Sequence, residues 1–145
     1  MKAVVITLSA AIALLCGTAR ADNAGGNPKA AATGITRSGA EVYAHVCQAC
    51  HQPQAQGAAG AGRIPALAGD RALVAWEYVA ATVLLGRHAM PAFGKPADPT
   101  FVFGEVQLSD AEIAEVVNYV RSHFGNSWRD RTTAAKVAAL PHPVN

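Results

Sequence analysis

The clearest pattern along the chain is a pair of amphipathic segments that each open with a helix-capping signal. Ser38 is followed three residues later by Glu41, and Ser109 by Glu112, and both pairs have the spacing of a capping box. Gly125 supplies a stop for the later segment. Apolar residues recur at helical spacing after each start, at Val42, Tyr43, Val46 and Ala49 and again at Ile113, Val116, Val117, Val120 and Phe124. The pattern therefore predicts a first and a last helix.

Another helix is predicted between these two, over residues 71–85, with Asp70 as its N-cap and Gly86 as its C-terminal stop. The stretch 72–85 carries one charge, Glu77, and is otherwise almost entirely apolar. Such a helix is either buried nearly all round or covered by a partner, and burial in the core is the more usual case.

The rest of the chain is rich in glycine and proline and has no convincing strand period, although a short extended pair is expected near Phe101 and Phe103. Residues 133–140 are expected to form one or two helical turns, with Trp128 packing the tail onto the body. The predicted fold class is all-α, with three main helices joined by Gly/Pro-rich loops. The apolar stripes are thin for this length, so we expect a further group to complete the core.

The N-terminus has the layout of a secretory signal peptide. A short basic start at Lys2 precedes the apolar run 3–15, and Ala19-Arg20-Ala21 follows as a cleavage site. The run is shorter than the roughly 17–25 residues of a membrane-spanning helix, which disfavours the alternative of an uncleaved anchor. We therefore expect residues 1–21 to be removed, Cys16 among them, residues 22–36 to form a flexible lead-in, and the mature protein to be periplasmic.

Removal of the predicted signal changes the charge from +2 to zero, because two basic residues leave and ten basic and ten acidic residues remain. The mature chain has no basic stripe and no nucleic-acid motif, so a nucleic-acid partner is excluded.

The motif that carries chemistry is Cys47-Gln48-Ala49-Cys50-His51, at the end of the first predicted helix. It suits a redox dithiol, half of a zinc site or a covalent haem anchor. Zinc needs a second ligand pair at short spacing, and the histidines supply none. A dithiol leaves His51 without a role and lacks the expected βαβ context. In the haem interpretation the two thiols bind the porphyrin and His51 ligates the iron, so every residue is used.

The iron then needs a second axial ligand. The chain has two methionines, and Met1 leaves with the signal, so Met90 is the one thioether that remains. It lies 39 residues after His51 in a proline-stiffened loop, and His88, two residues earlier, is the rival. We prefer Met90, because His/Met ligation is an established haem arrangement that raises the reduction potential.

Residues 38–126 resemble class I c-type cytochromes of bacteria, and most nearly the cytochrome subunits of periplasmic dehydrogenases. The resemblance rests on GAEVYAHVCQACHQ, IPALAG, GRHAMPAF and LSDAEIAEVVNYVRSHFGN. It implies a small cytochrome c fold over residues 37–126, followed by a tail over 127–145. It also implies one haem c, bound through thioethers at Cys47 and Cys50, with His51 and Met90 as axial ligands.

The resemblance assigns further roles. The carbonyl of Pro65 would accept a hydrogen bond from the His51 ring, and Arg63 would face a haem propionate, although a solvent-exposed arginine is an equally good interpretation. Gly39 and Tyr119 would meet where the first and last helices cross. Two departures are that Ala55 stands where the family often has glycine and that the segment 95–107 is longer than usual.

The function expected from these features is periplasmic electron transfer, with no catalytic residue of its own. A dehydrogenase subunit, a terminal oxidase or another cytochrome would be the redox partner, and the chain would be either a free carrier or a dedicated subunit. The alternative is a haem-based sensor or a peroxidase-like enzyme whose sixth ligand is displaceable.

Overall fold

The computed structural model describes residues 36–60, 62–94 and 106–143. The first helix, α1, covers residues 39–51 in three successive parts: α-helical Gly39–Val42, π-helical Tyr43–Cys47 and α-helical Gln48–His51. The predicted capping box is present, since Ser38 Oγ accepts from the Glu41 backbone and Glu41 accepts from the Ser38 backbone. A π turn holds one more residue than an α turn, so it rotates the residues that follow by roughly 100° relative to an unbroken α-helix.

A two-stranded antiparallel sheet follows, in which β1 (Ala58–Ala59) pairs with β2 (Arg63–Ile64). Each strand has two residues, which is too short to produce an alternating pattern in the sequence. The expected extended pair at Phe101 and Phe103 lies outside the described residues.

The helix predicted over residues 71–85 is divided in two. Asp70 caps a 3₁₀ turn, Arg71–Val74, and α2 then runs over Trp76–Leu85 and ends at Gly86 as expected. Ala75 between them is extended, with φ −94° and ψ 109°. Arg121 stabilises the break, because its guanidinium donates to the carbonyls of Leu73 and Val74, the two residues before Ala75.

The longest helix, α3, covers Asp110–Ser122 and begins at the predicted capping box of Ser109 and Glu112. Arg37, at the start of the described chain, forms a 2.5 Å ion pair with Glu112. The helix ends three residues before Gly125, because His123 is extended. Side chains bind carbonyls of its last turns: Ser122 Oγ donates to Asn118 O, and Asn126 Nδ2 donates to Val120 O.

The C-terminal segment packs on α3. A short helix, α4 (Ala134–Ala138), falls within the predicted helical turns of residues 133–140, and its Val137 is fully buried. Asn118 bonds both backbone groups of Thr132, and half-buried Trp128 packs against the core as predicted. Residues 127–143 are therefore part of the packed body rather than an appendage.

Helices α1 and α3 cross at Gly39. A Cβ at this position would lie 2.2 Å from the backbone oxygen of Glu115 and 2.7 Å from Cβ of Tyr119. The predicted meeting of Gly39 and Tyr119 is confirmed, and the absence of a side chain is what permits it. Among the described residues, no helix has the length and apolar character needed to cross a membrane.

Candidate functional site

The C-terminal end of α1 carries the three residues of the predicted haem anchor. His51 is buried, Cys47 is partly buried and Cys50 is exposed, and both cysteines are free thiols. The chain turns sharply after them at Gln52, which has φ 71°. The hydroxyl of buried Tyr43 donates to the Gln52 carbonyl at 2.7 Å and so ties the end of the helix to its middle.

The imidazole of His51 is oriented by a backbone carbonyl. Its Nδ1 lies 3.1 Å from the oxygen of Pro65. A carbonyl can only accept, so Nδ1 carries the hydrogen and the lone pair of Nε2 is left for a metal. Burial lowers the pKa of His51, and the hydrogen bond to Pro65 opposes this only in part. The ring is therefore held in the neutral form that a metal ligand requires.

Cys47 does not have the electrostatics of a redox-active thiol. Burial, together with the nearby Cys50, raises the pKa of Cys47 to about 11. Thiol–disulfide oxidoreductases depend on a lowered pKa that makes the thiolate available at neutral pH. In the described ranges, no group of three or more His, Cys, Asp or Glu side chains is placed to hold a metal ion. The raised pKa of Cys47 counts against the redox-dithiol interpretation.

Met90 and its rival His88 belong to one tight turn. The backbones of Arg87 and Met90 bond to each other in both directions, at 3.0 and 2.9 Å. His88 lies at the tip with φ 52° and is exposed, whereas Met90 is half-buried and packs against the hydrophobic core. The turn thus directs the thioether inward and leaves the histidine in solvent.

Arg63 and Ala55 lie in the loop between α1 and the 3₁₀ turn. Arg63 is exposed on β2. Ala55 is fully buried with φ 56°, a left-handed conformation that glycine adopts without strain. Its carbonyl accepts from the backbones of Leu67 and Ala68. The departure from glycine at this position therefore leaves the backbone in a glycine-like conformation.

The surroundings fit a haem group. Two free thiols three residues apart stand beside an imidazole whose Nε2 is unprotonated, and a thioether lies on a separate loop. A set of partly buried apolar side chains packs against the core yet stays accessible: Val46, Leu67, Ala68, Trp76, Met90 and Phe93. Partly buried apolar side chains of this kind suit contact with a flat apolar ring.

The sequence did not reveal two glycine contacts, one beside Pro65 and one beside Met90. Gly57 lies against the backbone at Pro65, and Gly86 lies against the backbone at Met90. The sequence predicts Gly86 as a helix stop, but its contact with the Met90 backbone has no local sequence signal.

Comparison with known proteins identifies the family of the chain. Residues 36–124 match the cytochrome c family. The chain is 31% identical over 110 residues to the cytochrome c subunit of the quinone alcohol dehydrogenase of Gluconobacter oxydans (strain 621H), covering 74% of this chain and 22% of that protein. It is 30% identical over 109 residues to the gluconate 2-dehydrogenase cytochrome c subunit of Pantoea cypripedii, covering 72% and 24%.

A further relative is the fructose dehydrogenase cytochrome subunit of Gluconobacter japonicus, 35% identical over 103 residues, which cover 63% of this chain and 20% of that protein. The chain thus spans less than a quarter of the length of the curated relatives it matches. The match across residues 36–124 shows that the chain belongs to the cytochrome c family.

Proposed function

We propose that this cytochrome c is a periplasmic electron-transfer protein that binds one haem c through Cys47 and Cys50, with His51 and Met90 as axial ligands. The family implies covalently bound haem c, and the haem supplies one-electron chemistry between Fe(II) and Fe(III). The observation that carries the proposal is the end of α1, where two free thiols adjoin a neutral, oriented imidazole whose Nε2 is unprotonated.

The chain's own residues account for the choice of electron transfer over catalysis. Pro65 fixes the plane of the His51 ring, and the hydrogen-bonded turn at Arg87 and Met90 holds the thioether inward. With His51 and Met90 both holding the iron, the protein would leave no coordination position for a substrate. Exposed Arg63 is available to pair with a propionate.

The partner is proposed to be a dehydrogenase, from which electrons pass toward the respiratory chain through a terminal oxidase or another cytochrome. The three relatives named above are all cytochrome subunits of dehydrogenases. Helix α2 supports a specific contact, because Tyr78 and Leu85 on its outer face are 42% and 46% exposed. Co-purification with a large catalytic subunit from the native host supports this partner, and a monomer in the native extract contradicts it.

The axial ligands are tested by optical spectroscopy and carbon monoxide binding on the haem-loaded protein. The oxidised parent should show the weak far-red absorption expected of a methionine–iron bond, and the reduced parent should bind no carbon monoxide. Met90→Ala should lose the band and bind carbon monoxide while the haem stays covalently attached. His88→Ala, two residues away, is the matched control and should behave as the parent.

Two results would contradict the proposal. A parent that binds carbon monoxide without any substitution has an open or displaceable sixth position, as a sensor or peroxidase-like enzyme would. A His88→Ala variant that loses the band while Met90→Ala keeps it assigns the ligand to the histidine. An electron carrier must also be oxidised and reduced reversibly, so a parent that fails to cycle in a redox titration contradicts the proposal as well.

A further inference from the structure

Gly86 is in close contact with the backbone of the methionine loop. It has φ +73°, and a Cβ there would lie 2.7 Å from the oxygen of Met90, 2.9 Å from the carbonyl carbon of Pro91 and 2.8 Å from the nitrogen of Ala92. Contacts below 3.0 Å with backbone atoms essentially never occur for a real Cβ. The tripeptide Met90-Pro91-Ala92 can therefore lie where it does only because residue 86 has no side chain.

Gly57 makes the same contact with a second X-Pro-Ala tripeptide. It has φ +69°, and its Cβ would lie 2.4 Å from the oxygen of Ile64, 2.7 Å from the carbonyl carbon of Pro65 and 2.7 Å from the nitrogen of Ala66. The three clashing atoms occupy the same positions in Ile64-Pro65-Ala66 as in the methionine loop. We call each arrangement, a glycine at positive φ against an X-Pro-Ala backbone, a glycine cradle.

The two cradles support opposite partners of the proposed iron site. The cradle of Gly57 holds Pro65, whose carbonyl accepts from Nδ1 of His51. The cradle of Gly86 holds Met90 itself.

The methionine loop is also tied to the end of α2. The backbone of Phe93 donates to Val83 O at 2.9 Å, and that of Gly94 donates to Leu84 O at 3.1 Å. These carbonyls belong to the last turn of α2, where a helix leaves its acceptors without intrahelical partners. The loop that carries Met90 is thus folded back onto the helix end, and Gly86 is the residue around which it folds.

We propose that Gly86 is a positioning residue for Met90 and that Gly57 is a positioning residue for His51, acting through Pro65. The proposal rests on the proposed His/Met ligation. A side chain at residue 86 pushes the methionine loop away from α2 and weakens the hold on the thioether. A side chain at residue 57 displaces the Pro65 carbonyl from Nδ1 of His51, which changes the basicity of the imidazole without touching Met90.

The test compares Gly86→Ala and Gly57→Ala in the haem-loaded protein with two strain controls. Gly125 has φ +80° and Gly69 has φ +62°, and a Cβ at either would meet none of the described residues within 4 Å. Gly125→Ala and Gly69→Ala therefore introduce the same backbone strain without the clash. The readouts are the far-red methionine band, carbon monoxide binding to the reduced protein and the reduction potential.

Gly86→Ala should lose the band and bind carbon monoxide, whereas Gly57→Ala should keep the band, exclude carbon monoxide and shift the reduction potential. Both strain controls should match the parent in all three readouts. The proposal is overturned if Gly86→Ala keeps the band, if Gly57→Ala leaves the potential unchanged, or if the controls show the same changes.

If Gly86→Ala or Gly57→Ala does not fold, two milder variants test the same contacts. Gly94→Ala presses on Leu84, with a Cβ 2.5 Å from its Cδ2 and 3.1 Å from its Cα, and should weaken the band more mildly than Gly86→Ala. Pro65→Ala keeps the carbonyl but releases the ring constraint and should shift the potential alone. Unchanged spectra and potential in these two variants also overturn the proposal. A parent that lacks the band contradicts the proposed function instead, so the two failures are distinguishable.

Discussion

Arg121 shows how residues 127–143 are bound to the rest of the protein. Its side chain is fully buried, and the guanidinium donates to the carbonyls of Leu73, Val74 and Asp130 and to the Asp130 carboxylate, at 2.6–2.9 Å. One side chain of α3 therefore joins the 3₁₀ turn before α2 to the C-terminal segment. Replacing it by methionine keeps most of the apolar stem and removes every one of these hydrogen bonds.

The loss of stability in Arg121→Met depends on which of the freed acceptors can bind water instead. Leu73 is 3% exposed, so its carbonyl loses a partner in the interior, which costs about 1–3 kcal/mol. Val74 is exposed, and the Asp130 side chain is 61% exposed, so both regain solvent. We expect Arg121→Met to lower the free energy of unfolding by about 1–3 kcal/mol, and Arg121→Ala by roughly 3–5 kcal/mol because a cavity is added.

The assay is guanidinium chloride unfolding of the haem-loaded protein at neutral pH, followed by far-ultraviolet circular dichroism. The reduction potential, measured in parallel, should equal that of the parent, because Arg121 contacts neither the end of α1 nor the methionine turn. A methionine variant within about 0.5 kcal/mol of the parent would refute the reasoning, since that is the range of an ordinary surface substitution. A large change in potential would refute the claim that the contact is structural.

Three further predictions concern the helix ends and the helix crossing. Burial alone would raise the pKa of Glu112, but its hydrogen bonds outweigh burial and lower it. Its stabilising effect should thus be present above its unfolded pKa and be lost as pH falls through the folded value, so Glu112→Gln should flatten the pH dependence of unfolding between roughly pH 5 and 3. Both ring nitrogens of His142 face oxygen acceptors, and the hydrogen bond to Asp110 raises its pKa. The stability that His142 adds should be complete below its unfolded pKa and be lost as pH rises through its folded pKa. An NMR titration in which Asp110→Asn leaves the pKa of His142 unchanged would contradict this. Gly39→Ala should lower the free energy of unfolding by about 1–3 kcal/mol or more through overpacking. Gly60→Ala, where a Cβ meets none of the described residues within 4 Å, should have little effect in the same denaturation assay.

Local patterns predicted the helices and the anchor because the interactions that create them span few residues. The capping boxes of α1 and α3 join residues three apart, and the structure contains both. The thiols and the imidazole of Cys47, Cys50 and His51 are likewise within one helical turn or so of each other. The contact between His51 and Pro65 came from a family resemblance rather than from any spacing in the chain.

The sequence by itself thus determined the capped starts of α1 and α3 and the Cys-X-X-Cys-His motif, since each depends on residue identity and short-range hydrogen bonding. Only the tertiary structure decided where α2 is broken, because the carbonyls at the break are bound by Arg121, 47–48 residues away. It also decided that Met90 faces inward and His88 outward, since both residues share one turn and differ in their packing. Contacts over such separations depend on how the elements pack, and no local propensity or period records them.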